Sequence, residues 1–319
     1  MKVAALAGGV GGAKLASGLE AALADGDLSV IVNTADDFEL WGLHISPDLD
    51  TVMYTLAGIA NPETGWGVEG ETFDSLGMLG NYGEDTWFLL GDKDIATHVL
   101  RTGRLGRGES LTDIMASLSK ALGVSSRVLP MSDERVATIL DTPDGRLEFQ
   151  EYFVRRRQRD EVLGVELRGI ESSSPTGEVL EALSGAEAII FCPSNPVVSI
   201  GPILEVPGMR EAVAAASSAP KVAVSPIVGG KALKGPADRM LSSLGHESSA
   251  AGVARMYAGI VDGMLIDRSD EGERDEIESL GMRVLVTDAV MRDDGDRERL
   301  AHETLGFAEE ISRSSGRVA

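Results

Sequence analysis

Residues 2–23, "KVAALAGGVGGAKLASGLEAAL", carry an apolar run into a helical pattern through four glycines set around one valine. "KVAALA" reads as a short buried strand and "AKLASGLEAAL" as a helix. The glycines are then the strand-to-helix turn of an α/β unit, where backbone N–H groups and a helix N-terminus can meet an anion. A phosphate is the obvious candidate, which makes Gly9, Gly11 and Gly12 candidate nucleotide- or phosphate-binding residues. Tight packing of a helix on a sheet also selects glycine. The spacing is not Walker A, because Lys14 lacks the preceding glycine and the following Ser or Thr, and Lys14 also stands where G-x-G-x-x-G needs its third glycine. A nucleotide held by backbone amides fits this turn better than a standard nicotinamide cofactor.

The same alternation continues along the chain. "LSVIVN" reads as a second strand and leads into the acidic loop "TADDFELWGLHISPDLD"; "AEAIIFC", "KVAVSPI", "VDGMLID" and "MRVLVTD" read as later core strands separated by helical patterns. This order predicts a doubly wound, mostly parallel α/β sheet of Rossmann-like type, with ligands beyond the carboxyl ends of the strands. Between Ala60 and Ser174 the texture changes to glycines, the helical "TDIMASLSKAL" and a hairpin, "RVATILDTPDGRLEFQEYFV", turning at "TPDG". The expected organisation is a nucleotide-binding core of residues 1–60 and 175–319 with a smaller α+β lobe, 61–174, inserted beside the nucleotide site.

With 51 acidic against 29 basic residues, the net charge of −22 argues against nucleic acid or an anionic membrane as the main partner. A small phosphorylated ligand remains compatible, because local donors and a metal can outweigh the mean field. Cys192 is the sole cysteine, so no intrachain disulfide can form; ending the run "AEAIIFC", it reads as a buried structural thiol. The start lacks the features of a secretory signal, and no apolar run approaches the roughly 20 residues of a membrane helix. The expected compartment is the cytoplasm.

Asp36, Asp37, Asp48 and Asp50 lie in two loops that this topology brings to one crevice, where together they could hold a hard cation such as Mg²⁺. Asp48 and Asp50 equally suit a helix start after Ser46 and Pro47, where acids favour the dipole. Two helical residues two apart point in different directions, so one is expected at the ligand. That residue is Asp50, on the face of Tyr54, with Asp48 serving the cap or an outer shell. In "FLLGDKDIATH", Asp94 is a candidate N-cap, and Lys93 is either solvated or a cation aimed at a phosphate or an acidic ring oxygen. His98 forms no metal-spacing motif with His44, His246 or His302, and no Ser-His-Asp or Cys-His constellation can be read. Ser194 and Asn195 in "FCPSNPVV" offer hydroxyl and amide groups at the sheet edge, although turn chemistry alone accounts for Pro193, Asn195 and Pro196. Lys231 and Lys234, beside glycines in "SPIVGGKALKG", are expected to face phosphate. The basic cluster "RRRQR" at 155–159 suits a solvated hairpin end or an oligomer contact better than catalysis.

Together, "LAGGVGGAK", "VNTADDFELWGLHISPDLDTVMYTLAG", "WFLLGDKDIATH", "LPMSDERVAT", "FQEYFVR", "PSNPVVSIGPIL" and "SPIVGGKALKG" resemble, in order and over essentially the whole chain, the 2-phospho-L-lactate transferase family, CofD and FbiA, of coenzyme F-420 biosynthesis. The family commonly has arginine where Lys93 stands. The resemblance implies transfer of a phosphorylated three-carbon acid from a guanosine-diphosphate-linked donor to the ribityl hydroxyl of the deazaflavin Fo. GMP would leave, and F-420-0 or its dehydro form would result. It further implies Mg²⁺ held by Asp50 and Asp37, Asp50 as a candidate acceptor of the hydroxyl proton, and an Fo pocket that includes Asp50, Lys93 and His98 beneath the inserted lobe. A homodimer is also implied. Two other readings stand beside it: a non-catalytic nucleotide-sugar-binding regulator of the YvcK type, and, third, a nicotinamide-dependent oxidoreductase.

Overall fold

The computed structural model describes residues 1–314 and Gly316. Seven strands form one parallel sheet: β1 (Val3–Ala7), β2 (Leu28–Val32), β3 (Arg127–Pro130), β4 (Ala188–Phe191), β5 (Lys221–Val224), β6 (Gly263–Asp267) and β7 (Arg283–Thr287), in the spatial order β7-β6-β5-β4-β1-β2-β3. Helices cover both faces, which is why the inner strands read as unbroken apolar runs rather than alternating ones. Along β1, Val3, Ala5 and Ala7 pack on one side with Leu15, Leu19 and Phe307, while Ala4 and Leu6 pack on the other with Ile189, Phe191 and Ile203. The result is the doubly wound, Rossmann-like α/β fold.

The order of winding places the site. From β1 the chain moves outward through β2 to β3, then returns to the far side of β1 as β4. Beyond the carboxyl ends of β1 and β4 the connections part in opposite directions and leave a crevice, as at any topological switch point. The glycine turn entering α1 (Gly9–Ala22) and the Pro193–Asn195 turn both lie there.

Two expectations are corrected. Residues 61–174 are not an insert separate from the core, because β3 lies within them and pairs in parallel with β2. "RVLP" is four residues long, too short for periodicity to separate it from a loop. The "TPDG" turn does join antiparallel strands, Ala137–Thr142 and Gly145–Glu148, with Thr142 facing Gly145 and Gly164–Arg168 added as a third strand. However, "EYFVR" leaves the sheet as a π-helical turn, Glu151–Arg155. The acidic loop after β2 likewise contains a small hairpin, Phe38–Leu40 with Leu43–Ile45, whose turn residues Trp41 and Gly42 both have positive φ. Phe88 packs edge-on to Phe38 at 4.9 Å, which pins the 87–90 segment over this hairpin. Among the described residues no helix is long and apolar enough to cross a membrane.

Candidate active site

A cleft of about 520 Å³ opens at the switch point. Its floor is the glycine turn, and the first two amides of that turn are already engaged. The Gly8 N–H donates to Ser194 Oγ at 3.0 Å, and the Gly9 N–H donates to Asp48 Oδ1 at 2.8 Å. Gly9 stands at φ +60°, the left-handed region that glycine reaches without strain. Gly11 is required for another reason: a Cβ there would lie 2.4 Å from the Pro193 carbonyl oxygen, so its space belongs to the neighbouring turn. Gly12 packs behind the turn on Ser194 and Ala7 and does not line the cleft. The amide of Gly9, expected to meet a phosphate, therefore meets an internal carboxylate.

Helix α2 (Pro47–Leu56) begins with Pro47 at its first position, as the sequence implies, and both acids of its first turn line the cleft. Asp48 turns to the glycine turn and to Asn33, whose Nδ2 donates to Asp48 Oδ2 at 3.0 Å and to Asp36 Oδ2 at 3.1 Å. Asp36 Oδ1 is buried without a hydrogen bond of good geometry. Burial raises both carboxyls, Asp48 to about 6 and Asp36 well above the usual range, and the Asp48 charge raises Asp36 further. Asp37 points away from the cleft: its Oδ2 accepts from Ser46 Oγ at 2.7 Å and lies 3.1 Å from His44 Nε2. Burial raises its pKa, and His44 and Ser46 oppose the shift.

Asp50 faces a different set. Helix α3 (Asp92–Leu105) presents Asp94, His98 and Arg101 on one side, at i, i+4 and i+7. The Arg101 guanidinium is completely buried and grips both Asp50 oxygens, Nη1 at 3.0 Å from Oδ2 and Nη2 against Oδ1. Burial alone would lower the arginine pKa, but Asp50 outweighs it and the group stays charged. Arg101 Nη1 also lies 3.3 Å from His98 Nδ1, so that nitrogen is the acceptor and the ring proton belongs on Nε2, 3.4 Å from Asp94 Oδ1. Tyr54 donates to the same Asp94 oxygen at 2.9 Å, which keeps the phenol protonated: burial, then Asp50 and Asp94, raise its pKa. Asp94 is thus a cleft residue rather than an N-cap; Glu71 takes the capping role by accepting the Lys93 and Asp94 N–H groups.

The remaining candidates divide. Ser194 lines the cleft with its hydroxyl donated to Gly8 O at 2.8 Å, and Asn195 lines it while Oδ1 accepts the Val197 N–H at 2.9 Å. Lys234 lines it too, its Nζ donating to Thr64 O at 2.9 Å. Lys93 and Lys231 do not; Lys93 Nζ donates to Glu69 O. Lys14, expected only as a departure from nucleotide motifs, reaches the cleft with Nζ on Met291 O at 2.8 Å; burial, then Arg297 and Lys234, lower its pKa. Sequence reasoning missed Arg101 and Asn33. The signal for Arg101 was its helical spacing from Asp94 and His98, whereas nothing local marks Asn33.

The Asp48 carboxyl carries a pH consequence. With a folded pKa of about 6 against an ordinary 3.8, the folded chain holds this proton more tightly than the unfolded chain does. Its contribution therefore favours folding at low pH and is lost as pH rises through about 6. Asp48→Asn keeps an acceptor for Gly9 and removes the titration. The stability of the wild type relative to this variant should fall by roughly 1–3 kcal/mol between about pH 4 and pH 7. Urea melts at the two pH values measure it, and a difference that does not change with pH would contradict the assignment.

Comparison with known proteins bears on what this cleft serves. The family model for 2-phospho-L-lactate transferase CofD matches residues 3–300. A phosphoenolpyruvate transferase of Streptomyces griseus is 46% identical over 317 residues, covering 98% of this chain and 99% of that protein. A 2-phospho-L-lactate transferase of Methanosarcina mazei is 38% identical over 294 residues, covering 92% and 96%. A crystal structure of a UPF0052-family protein from Bacillus halodurans shares the fold, with a TM-score of 0.65 at 18% identity over 95% of this chain and 98% of that one. A family match running from the first strand of the sheet into the last long helix, joined by relatives similar over nearly their whole length, leaves one conclusion: the chain belongs to the CofD family of 2-phospho-L-lactate transferases.

Proposed function

We propose that the protein transfers a phosphorylated three-carbon acid from a guanosine-diphosphate-linked donor to the ribityl hydroxyl of the deazaflavin Fo, and that the acid is phosphoenolpyruvate. The observation that carries the reading is the composition of one cleft, which gathers the carboxylates, the glycine turn and an aromatic wall of Phe88, Phe149 and Phe153. Aromatic side chains on the cleft lining suit a ring system such as a deazaflavin. The choice of acid rests on the relatives. Phosphoenolpyruvate transferases of Streptomyces and Kitasatospora match at 46%, 44%, 44% and 42% identity, the archaeal 2-phospho-L-lactate transferases at 38%, 37%, 39% and 36%.

In this reaction the hydroxyl oxygen bonds to the phosphorus that carries the acid, the bond from that phosphorus to the GMP oxygen breaks, and the hydroxyl proton is released. Such a transfer depends on alignment and on neutralising charge. We assign Asp50 the alignment of the hydroxyl and the acceptance of its proton, with Arg101 fixing the carboxylate and His98 beside it. Lys14 and Lys234 would meet the phosphates of the donor. Mg²⁺ would find oxygen donors in Asp36 and Asp48, which line the cleft and lack a basic partner among the described residues, while the groups whose ligand atoms come within 4.8 Å of one another are Asp50, Asp94 and His98, with Asp50 already paired to Arg101. When bound, the ion supplies positive charge to the diphosphate. Asp37, turned toward His44, is not proposed as a ligand.

The test is incubation of the protein with Fo, Mg²⁺ and, in turn, the guanosine-linked donors of phosphoenolpyruvate, phospholactate and phosphoglycerate, followed by mass analysis. The expected result is the dehydro product, formed at least tenfold faster than either alternative product. No product from any donor would overturn the transfer, and faster reaction with phospholactate or phosphoglycerate would overturn the choice of acid.

A further inference from the structure

Residues 149, 150, 153 and 154 line the cleft, and the chain then runs directly into a second concavity that the proposed reaction does not use. After the π-helical turn Glu151–Arg155 come Arg156, Arg157, Gln158 and Arg159. Arg157 and Gln158 both stand in the left-handed region, at φ 55° and 56°, a conformation uncommon for side chains of this length. The segment borders an open surface hollow of about 530 Å³ lined by Arg155, Arg156, Arg157, Arg159 and Asp160. Arg155 is braced by Asp85 at 2.7 Å and stacks 6.0 Å over the Trp87 ring, while Arg156 lies 3.3 Å from both Asp144 and Asp160. Arg157 and Arg159 are exposed, and their guanidiniums have no hydrogen bond or ion pair among the described residues.

Of these four guanidiniums, Arg155 and Arg156 are balanced by Asp85, Asp144 and Asp160, while Arg157 and Arg159 bring two further positive charges to the same hollow with no acid paired to them among the described residues. The backbone holds two consecutive residues in a costly conformation, and such outliers gather where a segment serves a ligand. A π-helical turn immediately before it is a second feature found frequently at functional sites.

We propose that this hollow is an anion site, separate from the cleft, that takes a compact polyanion bearing two or more adjacent phosphate or carboxylate groups. The braced pair, Arg155 and Arg156, supplies a fixed wall. Arg157 and Arg159 supply free forks that can each meet two oxygens at once, a geometry that planar guanidinium provides and ammonium does not. The inference does not depend on the transferase reading, and either can fail without the other.

The test is calorimetric titration of the full chain with inorganic tripolyphosphate and, separately, with citrate, at constant ionic strength. The comparison variant is Arg157→Asn with Arg159→Gln, because asparagine tolerates the left-handed backbone at 157. Lys234→Ala, which alters the cleft, is the control. The wild type should bind at least one of the two ions at a site that survives Lys234→Ala, and the better probe identifies the group preferred. Affinity should fall at least tenfold in the double variant and less than threefold in Lys234→Ala, with melting curves unchanged for the double variant. No binding by the wild type, unchanged affinity in the double variant, or an equal loss in Lys234→Ala would overturn the site.

Discussion

Asp50→Asn should lose about 3–5 kcal/mol of stability, because it leaves the fully buried Arg101 guanidinium without its counter-charge. On the proposed reaction it should also lower turnover about a hundredfold or more, as the loss of other positioned catalytic groups does. From sequence the substitution looks harmless to folding, since asparagine keeps the size and much of the capping capacity of aspartate. The structure reverses that expectation, because both Asp50 oxygens are committed to a charge from another helix. Denaturant melts of Asp50→Asn, Arg101→Met and the double variant separate the two effects. Removing both charges should restore much of the stability lost by either alone, while single-turnover rates per folded molecule stay low in all three. A stability loss below about 1 kcal/mol in Asp50→Asn would show that the pair is not desolvated as described.

Gly11→Val should fall by about 1–3 kcal/mol or more in stability and weaken binding of guanosine nucleotides by an order of magnitude. The atom in the way is a backbone carbonyl, Pro193 O, 2.4 Å from the place of a Cβ, so no side-chain rotation can relieve the clash. The turns after β1 and β4 would have to separate. That would break the Gly8–Ser194 hydrogen bonds that tie them together at the cleft floor. Gly77→Ala is the control. It lies in the helix Asp74–Asn81 with open space around it, and alanine there should be neutral or stabilising by up to about 1 kcal/mol. Thermal melts and GDP titrations of both variants check the expectation. Gly11→Val with native stability would remove the steric account, and native stability with native affinity would remove Gly11 from the site as well.

Position in the candidate cleft was partly legible in advance. Asp50 and His98 lie there because each belongs to a helix whose start is marked locally, by Ser46-Pro47 and by the "GDKD" turn, and helical spacing then sets the face. Lys93 occupies the same turn but leaves the cleft, since its neighbour Asp94 takes the inward face and its own amine finds the Glu69 carbonyl. Asp37 and Asp36 adjoin in the chain and diverge in space. Asp36 shares Asn33 with Asp48, while the short hairpin that follows carries His44 back to Asp37. A pair of adjacent acids carries no local mark of which will face the ligand.

The alternation of strand and helix, the glycine turn after the first strand, the helix start at Pro47 and the hairpin turn at "TPDG" are all set by local stretches of sequence. Each of these is governed by the period of apolar residues or by the backbone freedom of one or two residues, and both are properties of a few neighbours in the chain. That "RVLP" joins the sheet edge, that Pro193 fills the space above Gly11 and that Asp50 meets Arg101 emerges only in the folded chain. Those pairings span from 51 residues, for Asp50 and Arg101, to far greater separations, and burial gives them their energy. No local pattern encodes which distant group will share a buried site, because the choice is made by how the sheet and its helices close around it.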